Sequence, residues 1–68
     1  MDTRFNREVV GSIKNGMILN GLNLENLAVA TGINERTLRR RMRDPETFSV
    51  RELRSICRRL HITMSLGG

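Results

Sequence analysis

The sequence predicts an all-α fold, a compact bundle of four to five short helices. Two observations carry that expectation. Apolar residues recur three and four positions apart through most of the 68 residues, the period of helices that pack along one face. Asn, Ser, Gly and Pro stand between these runs, where helix starts and stops require them. One segment departs from the pattern, residues 61–68, where apolar and polar residues alternate.

The first helix is expected over residues 4–19, with Phe5, Val9, Val10, Ile13 and Met17 on one side. Gly11 and Gly16 each weaken it by about 1 kcal/mol relative to alanine, and both read as points of close helix approach. Gly21 then suits the left-handed position that closes a helix. Asn23 caps a short second helix over residues 24–30, with Leu27 and Ala28 inward. Gly32 suits a tight turn of positive φ. Asn34 caps the third helix, which buries Leu38 and Met42. Asp44-Pro45 ends it, because a residue before proline avoids the α region.

The fourth helix has the clearest start. Ser49 and Glu52 form a capping box, and Phe48 and Leu53 form the matching hydrophobic staple. Val50, Leu53, Ile56, Cys57 and Leu60 supply its expected core face. The tail, 61–68, has two readings. It is either a frayed end whose first residues cover the core, or a short β-strand that pairs with a twofold mate through Ile62, Met64 and Leu66.

A chain of this length reads as one domain, 1–68, near the lower size limit for a fold without metals or disulfides. The single cysteine, Cys57, has no internal partner, and no Cys or His spacing suits zinc. No metal and no cofactor is therefore expected. The opening residues lack the apolar region of a signal peptide, and no apolar run is long enough to span a bilayer. The expected setting is a reducing, intracellular compartment such as the cytoplasm, with no membrane partner. Nucleophile, base and orienting residue do not occur together, nor do paired carboxylates or a phosphate loop. No enzyme and no small-molecule substrate are expected, and His61 and Cys57 read as structural.

Charge points to the partner. Twelve Lys and Arg against seven Asp and Glu give a net charge of +5. Eleven of the twelve basic residues are arginine, and nine of them lie between Arg36 and Arg59. Such a surface calls for an anionic partner, nucleic acid before membrane. Arginine rather than lysine favours bidentate recognition of phosphate or guanine.

The densest stretch is "NERTLRRRMRD", residues 34–44, with Arg36, Arg39, Arg40 and Arg43 at i, i+3, i+4 and i+7. Like charges at these spacings cost a helix roughly 0.2–0.5 kcal/mol per pair, so something outside the helix should want them there. Arg41 points away from both the stripe and the buried side. Leu27-Ala28, Gly32-Ile33 and Leu38 are spaced as in a helix-turn-helix, core 23–43, whose second helix bears the basic stripe. A major groove admits one such helix, and arginine can bond guanine O6 and N7. Of the remaining arginines, Arg51 lies at a helix start where a phosphate could sit. Arg54, Arg58 and Arg59 read as solubilising. Thr47 and Ser49 could donate to phosphate, although Ser49 already serves as a cap.

The segments "LNLENLAVATGINERTLRRRM" and "RELRSICRRLHIT" resemble the lambda-repressor-like helix-turn-helix domains of phage repressors, Cro proteins and small bacterial regulators. The resemblance covers residues 9–62. It implies that helix 34–43 enters the major groove of a double-stranded, palindromic DNA operator, and that the chain acts as a homodimer. By position, it places Asn34, Glu35, Arg36 and Arg40 nearest the base edges. Asn23, Thr37, Arg39, Arg43, Thr47 and Arg51 then fall nearer phosphates. Glu35 has two readings: an acceptor from cytosine N4, or a carboxylate that repels wrong bases and orients Arg39. The second is preferred, since phosphates repel a carboxylate.

There are three departures from the family pattern. Leu24 stands where many members have a polar, phosphate-holding residue. Met17 and Met42 stand where many have an Arg–Glu pair, an exchange that is often neutral or stabilising. Arg41 stands where members often have a core residue, and Met42 takes that place. Two rival readings remain. One is an antitoxin or adaptor that uses the same fold for protein contacts. The other is an arginine-rich RNA binder, which the absence of stacking aromatics disfavours.

Overall fold

A computed structural model describes residues 3–64. The order is α1 (Thr3–Asn20), α2 (Leu24–Thr31), α3 (Glu35–Arg43), a single 3-10 turn (Pro45–Thr47) and α4 (Val50–Leu60). Among the described residues there is no strand, and residues 62–64 are irregular. Residues 65–68, with Leu66, lie outside the described residues.

The caps work as local chemistry requires. The Asn23 side-chain oxygen accepts the N–H of Asn26 at 2.7 Å, and the Asn26 oxygen returns a longer bond to the Asn23 N–H. Ser49 Oγ accepts the Glu52 N–H at 3.0 Å, while Glu52 Oε1 accepts the Ser49 N–H at 2.9 Å. Both ends of each box thus satisfy donors that a helix start leaves unpaired.

Two helices close in the same way. After α1, Gly21 adopts φ 63° and the Leu22 N–H reaches back to the Met17 carbonyl. After α4, His61 adopts φ 57° and the Ile62 N–H reaches the Cys57 carbonyl. In each case the following apolar residue, Leu22 or Ile62, folds against the core, as this closing motif favours. His61 is therefore the residue that turns the chain out of α4.

Val9 and Ile13 of α1, Leu27 and Ala28 of α2, Leu38 of α3, and Phe48, Leu53, Ile56 and Leu60 around α4 form one buried cluster. α2 packs on both α3 and α4, and α1 packs on α4 and on the 3-10 turn. Asn20 ties the far end together. Its Nδ2 donates to the Gly16 carbonyl at 2.7 Å and to the Leu60 carbonyl at 3.0 Å, so one amide serves the ends of two helices.

Several expectations change here. Val50 is half exposed. It sits in the first turn, at the edge of the stripe centred on Leu53, Ile56 and Leu60, and is not a core residue. Val10 is only partly covered. Leu24, Met17 and Met42 all pack against the core from its margin, so the family's polar contact and ion pair are replaced by apolar packing. Ile62 and Met64 also pack on this chain's own core, as a covering tail would. Burial pushes the pKa of the Cys57 thiol above its ordinary value.

The two interior glycines of α1 differ. A Cβ on Gly16 would meet the Leu60 side chain at 3.1 Å and Ile62 at 3.3 Å, so α4 and the tail approach closely there. A Cβ on Gly11 would meet nothing within 4 Å, which overturns the close-approach reading for that position. Gly11→Ala is accordingly expected to raise stability by about 0.5–1 kcal/mol, since only backbone freedom is removed. Gly32→Ala should do the reverse. Gly32 holds φ 75° in open space, and an L side chain there costs roughly 1–2 kcal/mol. Urea midpoints of the two variants should move in opposite directions; a shift of the same sign in both contradicts this account.

Candidate nucleic-acid interface

Helix α3 is divided by angle. Leu38 is completely buried and Met42 partly so, which fixes one side to the core. Arg36, Arg39, Arg40 and Arg43 are all exposed on the opposite side. The pairs 36/39, 36/40, 39/43 and 40/43 sum to roughly 1–2 kcal/mol of like-charge cost in an isolated helix. Part of that is relieved locally. Arg39 donates to Glu35 at 2.6 Å, one turn earlier on the helix surface. This geometry is the one the orienting role of Glu35 requires.

At the start of α3, the Asn34 side-chain oxygen accepts the N–H groups of Arg36 at 2.9 Å and Thr37 at 3.3 Å. Among the described residues its amide NH2 has no hydrogen-bond partner, so it is available to an acceptor. The Thr37 hydroxyl likewise has no partner among the described residues. Asn34, Glu35, Arg36 and Arg39 line a shallow, open depression at this end of the helix. A neighbouring groove joins Asn34 and Thr37 to Arg51 and Ser55 of α4, so the starts of α3 and α4 share one surface.

The outlying residues are placed as follows. Asn23 is exposed at the start of α2, its oxygen engaged in capping. Thr47 is exposed in the 3-10 turn, and its hydroxyl donates to the Asp44 carbonyl at 2.7 Å. That proton is already used, so a phosphate contact by Thr47 requires the hydroxyl to rotate. Arg51 and Arg43 are exposed and carry no ion pair among the described residues.

Arg41 has a role that sequence reasoning missed. Its Nε lies 3.0 Å from Glu52 Oε1, the same oxygen that accepts the Ser49 N–H. The two side chains are about three-quarters covered. The Nε is enclosed without an aligned hydrogen bond, so the contact is an ion pair by proximity. It links the second half of α3 to the start of α4. Glu52 was legible as a cap, and that single sufficient role hid the second one.

A family model of the Cro/C1-type helix-turn-helix DNA-binding domain matches residues 12–65, which takes in the second half of α1 and all of α2, α3 and α4. The chain belongs to that family. No curated protein and no solved structure gives a significant match. In a helix-turn-helix of this family, α2 and α3 are the paired helices, Gly32 is the turn between them, and α3 is the exposed basic element. Membership makes the protein a DNA-binding regulator. No helix among the described residues is long and apolar enough to cross a membrane.

Proposed function

We propose that the protein is a sequence-specific repressor or Cro-like regulator of phage, prophage or mobile-element origin that acts in the bacterial cytoplasm. It occupies an operator with α3 in the major groove and blocks polymerase. The observation that carries this reading is the one-sided arginine stripe of α3. Its opposite side is locked to the core by Leu38, and its start is left open around Asn34 and Arg36.

Arg36 and Arg40 read base edges, with Asn34 and Glu35 at the margin of the same surface. Glu35 acts chiefly through Arg39, which it holds at 2.6 Å. Arg39, Arg43, Thr37, Asn23, Thr47 and Arg51 grip phosphates, which sets register without reading sequence. The working unit is a homodimer on a palindromic site, because one domain of this size spans too few base pairs to be selective.

Selection of bound duplexes from a random pool tests the whole reading. The expected result is a palindrome with two half-sites about one helical turn apart; a pool that stays random refutes it. Arg43→Ala checks the phosphate assignment separately. It should weaken binding to every duplex alike and shallow the salt dependence by about one unit. An unchanged slope removes Arg43 from the phosphate contacts.

A further inference from the structure

Helix α4 carries a second basic stripe on the face opposite its core side. Arg51, Arg54 and Arg58 fall at i, i+3 and i+7, all exposed, and line one shallow depression together with Ser55. None of them forms an ion pair among the described residues. Glu52, the acid nearest in sequence, is held by Arg41 and by the Ser49 N–H. The pairs 51/54 and 54/58 therefore carry the same kind of like-charge cost as those of α3, with no acid paired to these arginines among the described residues. Solvation alone would be served by lysine, whereas each of these positions holds the residue suited to phosphate.

The stripe is continuous with the proposed interface. Arg51 and Ser55 also line the groove that contains Asn34 and Thr37, so the basic surface runs from the start of α3 onto α4. Arg51 to Arg58 spans seven residues, roughly 10 Å along the helix axis, which matches the axial rise of about three phosphates of one strand.

We propose that the outer face of α4 is a second phosphate track, which holds the sugar-phosphate backbone of duplex flanking the site read by α3. This rests on the DNA-binding reading above and extends it to residues beyond the helix-turn-helix. A twofold contact of this face with that of a second copy does not fit, since it would set three arginines against three. The track lengthens the footprint and raises affinity without adding sequence preference.

The test uses the selected duplex in two forms: trimmed to the bases that selection fixes, and extended by random flanks on both sides. R54A/R58A leaves the core and the α3 surface untouched. The expected result is a salt slope shallower by about two on the extended duplex, from about 0.9 per phosphate contact, with no change on the trimmed one. Identical slopes for parent and variant on both duplexes overturn the proposal and leave the stripe to an acidic protein. An equal loss on both duplexes also overturns it, by placing these arginines over the core site. Failure of the unmutated chain to select any duplex defeats the DNA reading itself. Binding to the extended duplex that depends on Arg36 and Arg40 but not on Arg54 and Arg58 defeats this inference alone.

Discussion

Leu38→Ala is expected to destabilise the domain by about 2–5 kcal/mol, the range for truncating a fully buried leucine. Leu38 has no exposed surface and is the only fully enclosed residue of α3. A domain of this length is stable by roughly 3–10 kcal/mol in all, so the loss takes a large share of the total. The melting temperature should fall by at least about 8 °C, at 4–8 °C per kcal/mol for a domain of this size. DNA binding should fall with it, because Leu38 is the bolt that turns the arginine stripe outward. A loss under about 1 kcal/mol in urea denaturation would mean that Met42 and the Arg41–Glu52 pair suffice to hold α3.

Arg36→Ala and Arg40→Ala should leave the fold intact yet cost about 1–3 kcal/mol on the selected operator, the worth of a bidentate contact to a base. That corresponds to roughly a five- to 150-fold weaker complex, together with relaxed preference at the contacted base pair. Stability should hold or rise slightly, since each truncation removes like-charge pairs from the helix surface. The contrast with Leu38→Ala is diagnostic. One variant loses binding by losing the helix's attachment, the others by losing readout on an intact domain. Equal losses on operator and unrelated duplexes would move Arg36 and Arg40 from base readout to phosphate.

The features legible in the sequence are those whose cause is local. The Ser49/Glu52 box, the Asn23 and Asn34 caps, the turn at Gly32 and the stop at Asp44-Pro45 all appear where their residue types require. The buried and basic sides of α3 separate as the helical period dictates. The arginine stripe is therefore a property of the sequence once the helix is granted. The departures arise where the answer depends on what lies across the interface. Gly11 and Gly16 look alike along the chain, yet only Gly16 faces Leu60 and Ile62. Val50 satisfies the period of α4 but sits at the edge of its core stripe, half in water. Arg41 fits neither side of its own helix, because its partner, Glu52, belongs to another.

The sequence by itself determined four helices, their caps, the helix-turn-helix and a basic outer surface, because backbone satisfaction and side-chain period act over a few residues. Tertiary structure alone decided that Ile62 and Met64 cover the core, that Leu24 packs rather than donates, and that Arg41 locks α3 to α4. It also joined the stripe of α4 to the start of α3 through a shared groove. These depend on which helices meet and at what angle, and residues distant in sequence settle that together when they exclude water from one core.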